Sequence, residues 1–315
     1  MPNLSVNIGK LRLKNPVMVA SGTFGYTEEF RPFIDLKKLG AIVTKTITIR
    51  PRKGNPPPRT CETPAGMLNS IGLENPGLDR FIKEKLKILK KIGVPVIISV
   101  ASEGGIDEFV VLAKKLDKIR EAAAIELNIS CPNIRSQVSG LRSHVGKQNN
   151  LISQDAKTTQ ELVRRVRRVT CKTIITKLSP NVTDIVEIAK AAQDGGSDAI
   201  ALINTLTGMS IDVNTRKPKI AAVSGGLSGP AIRPVAIRMV WECFNKIRIP
   251  IVGMGGIIDT LSALEFFLAG ATCISVGTVN FINPKASVEI IDGIRQYLKQ
   301  HKISDIRKLV GALSV

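Results

Sequence analysis

The stretch Glu126-Leu-Asn-Ile-Ser-Cys-Pro-Asn133 decides the fold, because a short apolar strand ends within it at a residue with chemistry. Pro132 lacks a backbone donor, so the strand must end just before it. Cys131 therefore lies where the chain leaves the strand, with Asn128 and Asn133 as amide neighbours. A thiol at a strand's carboxyl end can enter a cleft, and amides can bind a polar substrate. The alternative is a buried structural cysteine before a turn, and the octapeptide alone leaves both interpretations open.

Seven further runs share this strand pattern, and amphipathic helical patterns separate most of them. The predicted strands are Val17–Ala20, Ala41–Thr44, Val94–Val100, Ala124–Ser130, Thr173–Lys177, Ala199–Ile203, Ile249–Gly253 and Cys273–Val276. The predicted helices include Asp107–Ile119, Asp155–Val169, Val182–Asp194, Leu261–Ala269 and Ser287–Lys299. Alternating strands and helices indicate a parallel sheet, and eight such strands close a barrel. The predicted fold class is α/β, a (β/α)8 TIM barrel.

Three segments depart from this alternation. Leu4–Ile8 and Lys10–Leu13 around Gly9 predict a small N-terminal hairpin that covers one end of the fold. Thr46–Gly77 and Asn204–Pro230 are long, turn-rich and follow strands, so both are predicted to lie on the C-terminal face of the barrel. We see no linker or repeat, and we expect residues 1–315 to form a single domain.

Composition limits the classes of protein to consider. Hydrophobic residues make up 43% and aromatic residues 4% of the chain, so the core must be aliphatic. The five cysteines are scattered without a C-x-x-C pair, which fits neither a disulfide framework nor a zinc site. No secretory signal and no apolar run long enough to span a membrane are visible. We therefore expect a cytoplasmic protein that does not bind membranes.

The formal net charge of +19 is high for a metabolic enzyme. Much of it lies in helical patterns such as Arg164–Arg168, where apolar residues recur at helical spacing and leave the arginines outward. A solvated basic helix face explains this better than a nucleic-acid surface, since no aromatic residues are interleaved to stack bases. An anionic substrate, cofactor or partner would also suit the charge.

Glycines follow the last two predicted strands. Gly253-Met-Gly-Gly-Ile257 follows the seventh strand, and Val276-Gly-Thr278 follows the eighth. Glycines let backbone N–H groups approach a phosphate, and the loops after strands 7 and 8 are the usual place for one in a barrel. The segment Gly225-Gly-Leu-Ser-Gly-Pro230 could close the same phosphate site, although tight turns also require glycine.

Other polar residues lie where the predicted strands end. Lys45 and Lys177 are costly to bury unless paired, and together they indicate stabilisation of a developing negative charge, such as that of a reduced flavin. Either lysine could instead extend its amine to solvent. Asn204-Thr205 ends the sixth strand. The two histidines, His144 and His301, give no metal or triad pattern, so no metal is expected.

These motifs together resemble the class 1 dihydroorotate dehydrogenases, in family order over nearly the whole chain. The matching segments are Ala20–Gly22, Thr44–Thr46, Glu62–Gly77, Asn128–Asn133, Lys177–Asp184, Ile203–Thr205, Thr215–Pro218, Gly225–Pro230, Gly253–Gly256 and Gly277-Thr278. Gly-Leu-Glu-Asn-Pro-Gly, at residues 72–77, and Thr-Arg-Lys-Pro, at residues 215–218, look most like the class 1B catalytic subunit. That subunit works with an iron–sulfur/FAD electron-transfer subunit and passes electrons to NAD.

The resemblance implies an FMN-binding barrel that oxidises dihydroorotate to orotate in pyrimidine biosynthesis, with Cys131 as the catalytic base. It also implies a homodimer that joins the electron-transfer subunit in a heterotetramer. The implied substrate contacts are Lys45, Asn69, Ser70, Ile71, Gly72, Leu73, Asn128, Asn133, Asn204 and Thr205. The implied FMN contacts are Ala20, Ser21, Lys45, Thr46, Ser99, Asn128, Lys177, Ile203, Gly229, Gly255, Gly256, Gly277 and Thr278.

The chain departs from the family pattern at two places. The segment Ile134–Lys147 carries charges where the family has a glycine-rich loop, and Ser99 stands where an asparagine is expected. Alternative functions are a flavin-dependent dihydrouridine synthase, an enzyme acting on uracil or thymine, or a non-catalytic basic RNA-binding barrel. The short segment after the last strand, Asn280–Val315, leaves no room for the RNA-binding domain of a dihydrouridine synthase. No nucleic acid is therefore expected as a partner.

Overall fold

The structure is a computed structural model that describes residues 1–129 and 152–314. Within these residues, eight parallel strands form a closed barrel. They are β3 Val17–Val19, β4 Ala41–Val43, β7 Val96–Val100, β8 Ala122–Asn128, β9 Thr173–Lys177, β10 Ala199–Leu202, β15 Ile251–Gly253 and β16 Cys273–Val276. Around the barrel they follow the order β10-β15-β16-β3-β4-β7-β8-β9. The predicted (β/α)8 barrel is confirmed.

Each predicted strand coincides with one of these barrel strands. The ends differ by at most two residues, and Thr173–Lys177 and Cys273–Val276 agree at both ends. The agreement has a physical cause, because strands buried on both faces read as nearly continuous apolar runs. The predicted end of the fourth strand, Ser130, lies outside the described residues.

Helices surround the barrel. They are α1 Leu78–Arg80, α2 Leu86–Leu89, α3 Ile106–Asp117, α4 Ala156–Arg167, α5 Ile185–Asp194, α6 Arg233–Phe244, α7 Thr260–Leu268 and α8 Ala286–Gln300. A π-helical segment, Phe81–Lys85, joins α1 to α2. Single 3-10 turns lie at Glu28–Phe30, Leu36–Lys38, Ile152–Gln154, Pro230–Ile232, Thr278–Phe281 and Ile306–Leu309. No helix in the described part of the chain is long and apolar enough to cross a bilayer.

The basic helix α4 shows how local sequence fixes such an element. Its N-cap, Asp155, accepts a hydrogen bond of 2.6 Å from the backbone N–H of Thr158, which satisfies one of the free donors of the first turn. Leu162 and Val166 are buried against the barrel, while Arg164 is exposed. Arg168 is exposed as well, whereas Arg165 and Arg167 are partly buried and pair with Asp107 and Asp198, so the predicted solvated basic face is present only in part.

The N-terminal hairpin consists of β1 Val6–Ile8 and β2 Leu11–Leu13. The backbone N–H of Lys10, at its turn, donates to the hydroxyl of Thr173, the first residue of β9, at 3.2 Å. Ile8 and Leu13 are fully buried. The hairpin thus lies against the amino end of a barrel strand, on the side of the barrel opposite the predicted site.

The two long intervals form a second sheet that the sequence did not predict. Its antiparallel strands are β5 Thr60–Thr63 and β6 Gly66–Asn69 from the first interval, with β11 Leu206–Met209 and β14 Ser224–Ser228 from the second. A small ribbon, β12 Ile211–Asp212 with β13 Lys217–Pro218, extends the second interval. Because β6 pairs with β14, the loops after β4 and β10 are held together above the carboxyl ends of the barrel strands.

Candidate active site

A cavity of about 560 Å³ lies at the carboxyl ends of the barrel strands. Its volume falls within the range of roughly 300–1,000 Å³ that is typical of small-molecule sites. Residues after β3, β4, β10, β15 and β16 line it, together with the last residues of β8 and β9 and parts of the second sheet. The location agrees with the general rule for active sites in this fold.

Most of the predicted site residues come together around this one cavity. Those that line it are Ala20, Ser21, Lys45, Thr46, Asn69, Ile71, Gly72, Leu73, Asn128, Lys177, Ile203, Asn204, Thr205, Gly229, Gly255, Gly256, Gly277 and Thr278. Ser70 and Ser99 are fully buried and do not line it. Cys131 and Asn133 lie outside the described residues. The ligand that each lining residue contacts stays a prediction.

Thr46 connects the cavity to the barrel interior. Its hydroxyl oxygen lies 2.9 Å from the hydroxyl of Ser21 and 2.9 Å from that of Ser99, and accepts a 3.1 Å hydrogen bond from the Asn128 amide. The Ser99 hydroxyl donates in turn to Glu126 at 2.7 Å. Ser99 therefore lies behind Thr46, and it can influence a ligand in the cavity only through that residue.

Three asparagines from distant parts of the chain meet at the cavity. The side-chain amide of Asn204 donates to the Asn128 oxygen at 3.5 Å, and the Asn204 oxygen accepts from the N–H of Thr205 at 2.8 Å. Asn69, on β6, donates to the carbonyl of Gly226 on β14 at 3.4 Å. These amides are fixed by the barrel and the second sheet, and carboxamides held in this way can bind the polar groups of a ligand.

Two lysines give the cavity positive charge. Lys177 is 5% exposed, and Lys45 is partly buried. Among the described residues, neither takes part in a salt bridge. Burial lowers the pKa of Lys45, against an opposing effect of the Glu74 carboxylate. A buried amine without a carboxylate partner favours an anionic ligand, because the ligand supplies the missing charge.

The glycines at the end of the cavity permit a close approach of the backbone. Gly229, Gly255 and Gly256 have φ angles of 96°, 125° and 73°, which side chains rarely adopt. A Cβ atom on Gly277, by contrast, would meet only Ala20 and Thr23 among the residues that the structure describes, at 3.6 and 3.9 Å. Both of these residues line the cavity, so the space beside Gly277 belongs to the ligand site.

The sequence reasoning missed several lining residues. Ser275, on β16, is 1% exposed and lines the cavity, yet its buried hydroxyl has no hydrogen-bond partner among the described residues. Thr60 and Met67 reach the cavity from the second sheet. The only available signal for Ser275 was a polar residue within an otherwise apolar strand. Thr60 and Met67 gave no signal, because their sheet was not predicted.

Histidine, cysteine and acidic side chains do not form a metal-binding cluster in the part of the chain that the structure describes. In residues 1–129 and 152–314, no group of three or more His, Cys, Asp or Glu side chains could hold a metal ion. His301 packs on the ring of Tyr297 at a centroid distance of 4.2 Å. His144 lies in the segment that the structure leaves undescribed.

A closed (β/α)8 barrel, with a cavity at the carboxyl ends of its strands that is lined by two lysines and three asparagines, has the architecture of the barrel enzymes. A family model described as dihydroorotate dehydrogenase matches residues 3–298. The chain belongs to the dihydroorotate dehydrogenase family, whose members are in general flavin-dependent oxidoreductases.

Individual relatives agree with this assignment. A protein from Geotalea uraniireducens (strain Rf4) named dihydroorotate dehydrogenase B (NAD(+)), catalytic subunit, is 50% identical over 313 residues, which cover 99% of this chain and 98% of the relative. A protein of the same name from Thermoanaerobacter pseudethanolicus (strain ATCC 33223 / 39E) is 49% identical over 313 residues, 99% of each chain. The resemblance drawn from the motifs is confirmed, and the alternative functions are not favoured.

Proposed function

We propose that this chain oxidises (S)-dihydroorotate to orotate in pyrimidine biosynthesis, with FMN bound in the cavity at the carboxyl ends of the barrel strands. The observation that carries the proposal is the convergence of Lys45, Lys177 and three asparagines on one cavity, in a chain of the dihydroorotate dehydrogenase family. Orotate is an anion with ring amides. Amines and carboxamides are the groups that bind such a molecule.

The residues present fit a flavin mononucleotide. Gly255, Gly256 and Gly277 offer backbone N–H groups to a phosphate, and the space beside Gly277 is one that a Cβ atom would fill. The buried Ser275 hydroxyl has no hydrogen-bond partner in residues 1–129 and 152–314, and a ligand can supply one. The buried Lys177 ammonium group would stabilise negative charge on the bound flavin. Bound FMN would supply the acceptor for the hydride that leaves carbon C6 of dihydroorotate.

The protein residues then have separate tasks. Cys131 would take the proton from carbon C5 of dihydroorotate, since a thiolate is a base of suitable strength near neutral pH. Asn69, Asn128 and Asn204 would hold the ring amides, and Lys45 would bind the carboxylate.

Electrons must then pass to a second protein. We infer a class 1B arrangement, in which a homodimer of this chain binds an electron-transfer subunit carrying FAD and an iron–sulfur cluster, and NAD is the final acceptor. Support comes from the relatives, which are named as catalytic subunits of NAD(+)-linked enzymes. The five cysteines of the chain are too scattered for cluster binding. The chain alone should therefore reduce NAD poorly.

The test is a visible spectrum of the purified chain, followed by anaerobic addition of dihydroorotate. We expect the absorbance of one non-covalent flavin per chain, and bleaching on addition of substrate. A colourless protein that also fails to take up added FMN would contradict the proposal. Tight binding of tRNA at physiological salt, together with uridine reduction, would favour the dihydrouridine synthase instead.

Replacement of the predicted base tests the mechanism. Cys131→Ala should keep the flavin spectrum and bind orotate, yet its flavin should be reduced about a hundredfold more slowly or worse. Cys131→Ser should retain a little activity, shifted to higher pH, because a hydroxyl is a far weaker acid than a thiol. Reduction of the Cys131→Ala flavin at the wild-type rate would make Cys131 a structural residue.

A further inference from the structure

Glu126 is a buried acidic residue that the proposed mechanism does not use. It lies on β8, two residues before Asn128, and is 2% exposed. Its oxygen Oε1 accepts a 2.7 Å hydrogen bond from the hydroxyl of Ser99 on β7. An acidic side chain within the barrel is costly unless its hydrogen bonds serve a purpose.

Glu126 ends a continuous chain of hydroxyl groups that begins at the cavity. Ser21 lines the cavity, and its hydroxyl lies 2.9 Å from that of Thr46. Thr46 lies 2.9 Å from Ser99, and Ser99 bonds to Glu126. Each contact is a full hydrogen bond by its length.

The direction of this chain follows from counting protons. A hydroxyl has one proton to donate and two lone pairs to accept with. Ser99 gives its proton to Glu126, so the Ser99 oxygen must accept from Thr46. The Thr46 oxygen already accepts from the Asn128 amide, and its second lone pair must then receive the proton of Ser21.

We propose that Glu126, through Ser99 and Thr46, fixes Ser21 as a hydrogen-bond acceptor toward the cavity. The ligand group seated against Ser21 is then a donor, such as a ring N–H or a ribityl hydroxyl of a flavin. Glu126 and Ser99 are positioning residues, because they reach the ligand only through Thr46 and Ser21. Only the identity of the ligand as FMN rests on the proposed function.

The opposite direction is less favourable on this geometry. It requires the proton of Glu126 to lie on Oε1 and the Ser21 proton to point into the cavity, where it needs a ligand acceptor. The inward direction satisfies every proton of the four residues with protein atoms alone. Hydrogen bonds in a directed chain also strengthen one another.

The first experiment measures FMN dissociation from Ser21→Ala, Ser99→Ala and the double variant. Without Ser99 the proton of Thr46 turns toward Ser21, which then presents a donor to the ligand. We expect Ser99→Ala to weaken FMN binding about 3- to 10-fold, the scale of one hydrogen bond. In the Ser21→Ala background, Ser99→Ala should have no further effect. Additive effects, or unchanged binding in Ser99→Ala, would overturn the proposal.

A matched control removes a buried hydroxyl outside the chain. The Thr176 hydroxyl, on β9, lies 2.9 Å from that of Ser197 and does not line the cavity. Thr176→Val should leave FMN binding unchanged. If Ser99→Ala fails to fold, Ser99→Cys can replace it, because a thiol forms weaker hydrogen bonds with Thr46 and Glu126. FMN binding is then compared in the same way.

The second experiment needs no flavin and thus separates this proposal from the proposed function. Infrared spectra of full-length protein with isotope-labelled glutamate identify the Glu126 band as the one lost in Glu126→Gln. Ser99→Ala should shift that band, and Thr46→Val should shift it less, because the chain is cooperative. If Ser99→Ala leaves the position of the Glu126 band unchanged, the proposed chain of hydroxyl groups is wrong. A wild-type protein that binds no FMN contradicts only the proposed function, and the infrared result then decides the chain.

Discussion

Asn128 and Lys177 are register partners on the adjacent strands β8 and β9, and both line the cavity. The barrel thus places a carboxamide and an amine side by side at the ends of two parallel strands. The amide is held by Thr46 at 3.1 Å, whereas the amine has no salt-bridge partner among the described residues. One group is positioned for binding, and the other carries charge available to a ligand.

This arrangement predicts that Lys177→Ala slows flavin reduction more than it weakens orotate binding. The charge matters most when negative charge develops in the transition state, so its loss should appear in the rate. Stopped-flow reduction with dihydroorotate, alongside orotate titration, measures both. Lys172→Ala, at the opposite end of β9, is the control and should change neither. An equal loss in rate and binding would contradict this role for Lys177.

The partly buried amine of Lys45 predicts that the affinity for orotate depends on pH. Burial lowers its pKa below that of an ordinary lysine, about 10.4, so its charge is lost at a lower pH than in the unfolded chain. Orotate affinity should therefore fall as pH rises from neutral toward that value. Lys45→Met should bind orotate more weakly at neutral pH and show a flatter profile. A Lys45→Met profile as steep as that of the wild type would assign the effect to another group.

The apoprotein should show the matching stability effect. A lowered lysine pKa means that folding disfavours the charged form, and this penalty disappears as pH rises through the lowered pKa toward the unfolded value. Lys45→Met should therefore be relatively more stable than the wild type at neutral pH, and this advantage should shrink at alkaline pH. Urea unfolding at both values measures the difference.

Substitutions at two glycines should distinguish an effect on FMN binding from an effect on protein stability. Within the described part of the chain, a Cβ on Gly277 would contact only cavity-lining residues, at 3.6 Å or more. A Cβ on Gly256 would lie 2.7 Å from the Arg233 Cβ, at a φ of 73°. Gly277→Ala should thus keep the thermal stability of the apoprotein and lose FMN affinity. Gly256→Ala should lose both. Calorimetry and flavin fluorescence distinguish them, and a Gly277→Ala protein with normal FMN affinity would remove the flavin from this place.

The cysteines should differ in reactivity. Burial raises the pKa of Cys243 to about 12 and also raises that of Cys273, so both are protonated and inert near neutral pH. Among the cysteines that the structure describes, Cys171 is the exposed one and should react before Cys61, Cys243 and Cys273 with iodoacetamide. Orotate should protect Cys131 alone from labelling, as peptide mass spectrometry can show. Labelling of Cys131 at the same rate with and without orotate would argue against a place beside the substrate.

The barrel was predictable because each of its strands is a short run of apolar residues that can be recognised from the local sequence. Thr173–Lys177 and Cys273–Val276 are apolar runs bounded by turns, and their burial on both faces is written in their composition. The order of strands and helices then allows few topologies. The family motifs likewise identified residues that the fold brings to one cavity.

The second sheet could not be predicted in this way. Gly66–Asn69 and Ser224–Ser228 contain glycines and small polar residues, which are poor strand formers. Gly226 lies opposite Asn69, far away in the sequence, so the pairing depends on the barrel that brings both loops together. Non-local pairing of this kind leaves no periodicity within either segment.

Ser99 shows the same division within the site. The sequence by itself determined the parallel barrel, the end of the cavity that carries the glycines, and the residue types available for chemistry, because each depends on local pattern and strand direction. Only the tertiary structure decided that Ser99 lies behind Thr46 and joins Glu126 to the cavity. The reason is physical: a hydroxyl acts on whatever lies within about 3 Å of it, and the neighbours of Ser99 are distant in sequence, since Thr46 follows β4 and Glu126 lies on β8.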